Sequence, residues 1–196
     1  AVRAAEVSDA IEANYGCPNV EKGMIVGQNP GLALQYTSAL RKALGNKPLF
    51  VKLTPNVDDI TLPARATADA GADALVIANT YTGRYINPHT REPHLSFKQG
   101  GGMSGKNIFG RTLRLVEQVA EMRSRSGYEF KIGAVGGIDG SEKAKKYLDA
   151  GADFLQFGTH LFLDRPMEIK RVIQPELETV EEFLERMYTE IYGDMQ

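Results

Sequence analysis

The heptapeptide DAGADAL at residues 69–75 returns almost unchanged as DAGADFL at 149–155. In both places the motif closes an amphipathic stretch, its glycine stops that stretch, and an apolar β-type run starts directly after it. The separation holds two strand-plus-helix units of roughly 40 residues each with their loops. Repetition of this kind predicts successive βα units. Strands that are apolar almost throughout predict that the units share a parallel sheet covered by helices.

The rest of the chain follows the same rhythm. Residues 10–14, AIEAN, read as a strand, and NPGLALQYTSALRKALG as a helix that Asn29 caps, Pro30 opens and Gly45 ends. Residues 48–53, PLFVKL, give the next strand, a helix runs from near Asp58–Thr61 to Gly71, and 74–79, ALVIAN, give a third strand. The stretch Thr80–Lys106 interrupts the pattern and reads as a functional loop or lid. A helix around Arg111–Ser124, a strand at 130–135, a helix over Ser141–Ala150 and a strand at 154–158 resume it. A final helix opens with a capping box, Thr179 and Glu182, and carries Val180, Phe183, Leu184, Met187 and Ile191 on one stripe.

Two architectures accommodate such units, a doubly wound open sheet and a (β/α)8 TIM-type barrel. A doubly wound dinucleotide fold places G-x-G-x-x-G after its first strand, and the chain has none there. Its glycines fall instead in VGGID and FGTH, after the last two strands, where a barrel holds phosphate on backbone N–H groups. The expectation is a single barrel domain over 1–196. Only about five βα units are legible where a closed barrel needs eight. The phosphate-type loops that close the chain place the three missing units at its N-terminal side, so the chain reads as the C-terminal part of a longer polypeptide.

The 23 Lys plus Arg against 25 Asp plus Glu give a formal charge of −2, no footprint for nucleic acid or an anionic membrane. One cysteine cannot form an internal disulfide, and neither a membrane-length apolar run nor a signal peptide is seen, so the expected compartment is the cytoplasm.

In a parallel barrel the residues leaving the strand C-termini share one rim, where such folds place active sites. The polar groups expected there are Asn14, Cys17 and Asn19, then Lys52, then Asn79 and Thr80, then the loop GGGMSG (100–105), Gly136 with Gly137, and Gly158 with Thr159. Cys17 stands in ANYGCPNV between Gly16 and Pro18, in a turn rather than at a core-facing strand position. There a thiolate can serve as base or nucleophile, although a lone cysteine is more often a small buried apolar residue. Lys52 interrupts the apolar FVKL, and an inward ammonium needs an anionic or polarisable partner. Snorkelling outward, or an ion pair with an acid such as Glu12, is its plainer alternative. The three asparagines offer paired donors and acceptors to a planar amide-bearing ring, where single asparagines usually serve turns. His89, His94 and His160 show no metal-ligand spacing and read as incidental.

Taken in order, NYGCPN, VKLTPNVDDI, IANT, GGMSGKNI, VGGI and FGTHLF resemble the motifs of dihydroorotate dehydrogenases, and more distantly those of the pyrimidine-reducing domain of dihydropyrimidine dehydrogenase. The resemblance runs from about Asp9 to Phe162. It implies an FMN-dependent barrel in pyrimidine biosynthesis, in which Cys17 is the base for the C5 proton of dihydroorotate while hydride leaves C6 for flavin N5. By position it makes Asn14, Asn19, Asn79 and Thr80 pyrimidine contacts, with Asn14 also near the flavin. Lys52 and Ala78 then lie beside the flavin ring, and Gly105, Gly136, Gly137, Gly158 and Thr159 lie around the flavin and its phosphate. A cysteine base implies the soluble class, commonly dimeric. Electron acceptors within the family are fumarate, quinone, or NAD through an iron–sulfur and FAD partner subunit.

The family pattern N-x-S-C-P-N is broken at Gly16, and GCP is also the form found in tRNA-dihydrouridine synthases. A flavin-dependent reductase of uracil, thymine or tRNA uridine is therefore the alternative within the same chemistry. The alternative of another class is a flavin-free phosphate-binding barrel, a lyase or isomerase, that uses Lys52 as a Schiff-base amine.

Overall fold

A computed structural model of the chain describes residues 2–17, 25–84, 86–92 and 101–160. Asn19, His94 and the whole C-terminal helix expected around 179–191 lie outside the described residues. After a short helix α1 (Val2–Ala5), five strands form one sheet: β1 (Ile11–Asn14), β2 (Leu49–Lys52), β3 (Ala74–Ile77), β6 (Lys131–Val135) and β7 (Phe154–Gln156). They lie in that order and every pairing is parallel. Helices α2 (Pro30–Leu44), α3 (Thr61–Asp69), α4 (Phe109–Ser126) and α5 (Ser141–Asp149) connect them. The Asn29 side chain accepts from Leu32 N at 3.1 Å to cap α2, and Gly45 closes that helix with φ +59°.

Alternation along the strands sorts the residues between two faces. Leu49, Val51, Leu53, Leu75, Ile77, Ile132 and Ala134 have no accessible surface and join Ala33, Ala64, Val116 and Ala144 from the helices in one core. The intervening residues point to the concave side. There the Phe50 and Phe154 rings meet at 5.6 Å, and a Cβ at Gly133 would strike the Phe154 ring. Gln156 Nε2 on β7 donates to Glu12 Oε2 on β1 at 2.6 Å, joining the two edge strands of the sheet. In a flat sheet those edges stand about 19 Å apart, four spacings of some 4.8 Å, too far for two side chains to span. The sheet is therefore strongly curled, as an arc of a barrel wall must be.

The repeated heptapeptide does the same work twice, at the N-terminal ends of the strands. Asp73 pairs with Arg41 and accepts from Leu49 N at 2.7 Å; Asp153 pairs with Arg123 at 2.5 Å and accepts from Ile132 N at 2.8 Å. Each arginine also donates to the carbonyl of the motif glycine, Gly71 or Gly151. One aspartate thus ties the start of the preceding strand to the last turn of the helix that leads into that strand.

The Thr80–Lys106 stretch, expected as a loop, contributes a two-stranded antiparallel ribbon, β4 (Tyr81–Gly83) with β5 (Gly101–Met103). The glycine-rich partner hid it: Gly101 and Gly102 carry no strand propensity, yet the missing side chain of Gly102 lets β5 pass against Thr80. Among the described residues no helix is long and apolar enough to cross a membrane.

Candidate functional site

Because the five strands are parallel, the ends of β1, β2, β3, β6 and β7 that carry the candidate residues open on one rim. At the end of β1, Asn14 turns its Oδ1 back to accept from Gly16 N at 3.0 Å, and the same oxygen accepts from Asn79 Nδ2 at 2.7 Å. Asn79 follows β3, where the Ile77–Ala78 peptide is cis, and its own Oδ1 accepts from Thr80 N at 2.7 Å. Both amide oxygens are thus engaged by protein, so the pair offers N–H groups to the site. A ligand matching it must bring carbonyl or carboxylate oxygens.

Gly16 makes this contact possible. A Cβ there would lie 2.7 Å from both Cβ and Nδ2 of Asn79. Tyr15, just before it, is buried with its hydroxyl 2.9 Å from Thr37 Oγ1, and burial pushes its phenol above the ordinary value despite that hydrogen bond. Cys17 is half-buried at the end of this turn and does not line the cavity described next.

A cavity of about 580 Å³ opens at the rim. Lys52, Ala78, Asn79 and Thr80 form part of its wall, and Gly105, Gly136, Gly137, Gly158 and Thr159 form another part. All the described cofactor residues expected from sequence except Asn14 therefore share one space, and Asn14 reaches it through Asn79. Ser104 joins them from the GGGMSG loop expected at the rim, and sequence reasoning missed Asp139 and Gln156, which also line the cavity. His160, read as incidental, is buried in the same wall. Asn56 was missed as well. Its amide donates to Thr80 O at 3.1 Å and accepts from Thr82 N at 2.8 Å, holding the segment that carries Thr80.

The glycine side of the cavity is shaped for close backbone approach. Gly136 and Gly137 take φ of +130° and +71°, and a Cβ on them would come within 2.9 Å of Ile108 and 2.8 Å of Phe109. Tyr147, fully buried, donates to Gly136 O at 2.7 Å, and burial raises its phenol well above the ordinary range, so it stays a donor. A Cβ at Gly158 would meet nothing within 4 Å, and Gly158 lines the cavity. Thr159 Oγ1 donates to Ser104 Oγ at 2.8 Å. These features suit a phosphate bound by main-chain N–H groups.

Lys52 follows the alternative foreseen for it. Its ammonium is paired with Glu12, whose other oxygen holds Gln156. The cavity wall thus carries an ammonium whose counter-charge stands beside it.

Residues 2–180 match the family profile described as dihydroorotate dehydrogenase. The chain belongs to the dihydroorotate dehydrogenase family. It is 42% identical over 163 residues to the dihydroorotate dehydrogenase B (NAD(+)) catalytic subunit of Citrifermentans bemidjiense, covering 83% of this chain and 51% of that protein. To the subunit of the same name from Streptococcus pneumoniae it is 40% identical over 156 residues, 78% of this chain and 48% of the other. The chain spans about half the length of these curated relatives. Among solved structures, the dihydroorotate dehydrogenase of Eimeria tenella in complex with ferulenol superposes with a TM-score of 0.71 at 22% identity, covering 97% of this chain and 53% of that one. That match shows the fold, a (β/α)8 barrel of which the five parallel strands form part.

Proposed function

We propose that the chain carries the flavin- and pyrimidine-binding half of an FMN-dependent enzyme that oxidises dihydroorotate to orotate. The observation that supports this most is the convergence of two unlike surfaces on one cavity: the Asn14–Asn79 pair, which offers N–H groups, and the glycine cradle around Gly136, Gly137 and Gly158. The first suits the carbonyl and carboxylate oxygens of a dihydropyrimidine acid, the second the phosphate of a mononucleotide cofactor.

In this reading Thr80 and Asn79 orient the pyrimidine, with Asn19 adding a further contact, and Gly105, Gly136, Gly137, Gly158 and Thr159 hold the phosphate end of FMN, with Ala78 and Lys52 beside its ring. Cys17, on the turn after β1, removes the C5 proton as thiolate and becomes the thiol. A bound FMN would supply the acceptor for the C6 hydride, so that loss of the C5 proton to Cys17 and of that hydride leaves C5–C6 as a double bond. The names of the relatives, NAD(+) and catalytic subunit, support NAD as terminal acceptor and a partner subunit that passes electrons to it; in this reading that partner carries an iron–sulfur centre and FAD, and the catalytic chain is a homodimer.

The Lys52 Schiff-base alternative loses support because that amine is committed to Glu12 as an ammonium donor. The decisive experiment is anaerobic mixing of the flavin-loaded protein with dihydroorotate. Flavin absorbance should bleach rapidly in the parent and about 10²- to 10⁴-fold more slowly in Cys17→Ala, the range set by loss of a general base. Bleaching at the parent rate in that variant removes Cys17 from the chemistry. No bleaching by dihydroorotate, together with return of the flavin band when uracil is added to the pre-reduced protein, would favour the reductase alternative.

A further inference from the structure

The proposed chemistry leaves one charged group on the concave face without a role. Glu12 stands on β1, Lys52 on β2 and Gln156 on β7, and the first two are half-buried side chains. Lys52 Nζ donates to Glu12 Oε1, and Gln156 Nε2 donates to Glu12 Oε2 at 2.6 Å. The carboxylate is thus held at one oxygen from the neighbouring strand and at the other from the strand at the far edge of the sheet, and both of its partners line the cavity.

Two consequences follow from chemistry alone. A lysine has four rotatable side-chain bonds, and a fixed counter-ion confines its ammonium to one place. The pair is also neutral as a unit. A lone ammonium beside a conjugated ring would stabilise the negative charge that the ring gains on reduction, whereas an ammonium with a carboxylate against it does so far less.

We infer that Glu12 is a positioning residue that fixes Lys52 in the cavity and, by cancelling its charge, holds down the reduction potential of the bound flavin. This rests on the function proposed above. A poise of that kind favours passing electrons onward over retaining them.

The test is the midpoint potential of the flavin-loaded holoenzyme, measured by dye equilibration. Glu12→Gln keeps the shape and the ability to accept from Lys52 while removing the charge. It should raise the potential above that of the parent. Lys52→Met, which leaves the carboxylate alone, should lower it, and the double variant Glu12→Gln/Lys52→Met should return close to the parent. Glu12→Asp, which keeps the charge, should stay near the parent too. A merely structural role for Glu12 moves stability or flavin retention but does not shift the two single variants in opposite directions. If Glu12→Gln retains flavin at an unchanged or lower potential, the inference is overturned while the proposed function stands. If Glu12→Gln fails to load, Lys52→Met alone decides, and a potential that does not fall overturns it. Failure of the parent to bind any flavin overturns both.

Discussion

At the scale of single residues, Gly16 shows how the same letter changes meaning once space is known. Read in sequence, it is the loss of a serine hydroxyl from the family pattern. In the structure it is the room into which the Asn79 amide fits, since a Cβ there would lie 2.7 Å from two Asn79 atoms. Its φ is not in the left-handed region, so the constraint is proximity rather than backbone conformation. Gly16→Ser should therefore push Asn79 off Asn14, break the 2.7 Å hydrogen bond and free an amide oxygen to face the ligand. Loss of one such bond is worth about 1 kcal/mol, so orotate should bind several-fold to about tenfold more weakly in a calorimetric titration. Unchanged or tighter binding would show that Asn79 has another place to go. Asn79 and the glycine pairs were legible as cavity-lining positions because turn position and residue type suffice to flag them. Asn56 was not, because its importance lies in whose backbone it bonds, Thr80 and Thr82, some 25 residues along the chain.

Elements were legible wherever hydrophobic period and caps agreed. The five parallel strands and the four helices between them fall within a few residues of the expected positions, and Asn29 and Gly45 cap α2 as read. The β4–β5 ribbon was not, since a strand made of Gly101, Gly102 and Met103 owes its existence to its partner rather than to its own propensity. The heptapeptide echo predicted a repeated unit without revealing its chemistry, which resides in Arg41 with Asp73 and in Arg123 with Asp153. That chemistry has a pH signature. Burial by itself would raise the Asp153 carboxyl, but the Ile132 N–H and the Arg123 guanidinium outweigh it and hold the carboxyl below its ordinary value. A depressed folded-state value means stability that is present above the unfolded value, about 3.9, and is lost as pH falls through the folded one. Asp153→Asn should be less stable than the parent at neutral pH, and its stability should fall less steeply below about pH 4. Urea midpoints across that range check this; parallel curves for the two proteins would mean that the clamp contributes through shape alone.

For the whole molecule, the curl of the sheet is what brings the separate pieces of the site together, and it was legible only indirectly, through the placement of glycine loops after the last strands. The two faces are held differently. On the helix side Leu49, Val51, Leu53, Leu75, Ile77, Ile132 and Ala134 are sealed, while on the concave side Phe50, Phe154 and the Glu12–Lys52–Gln156 strut keep some contact with solvent. β1 and β7, at the two ends of the strand order, each have one strand neighbour in the described sheet, whereas β2, β3 and β6 have two. Amide protection follows both terms, the number of ladder partners and the apolar cover. Hydrogen exchange on this chain should therefore be slowest over Leu49–Leu53, Ala74–Ile77 and Ile132–Ala134 and markedly faster over Ile11–Asn14 and Phe154–Gln156, and within the faster group the Glu12→Ala variant should exchange faster still, because it releases the only side-chain bond described between the two edges. Equal protection of edge and centre would mean that further pairing covers β1 and β7 in solution, and would transfer the closing role from the Glu12 strut to that pairing.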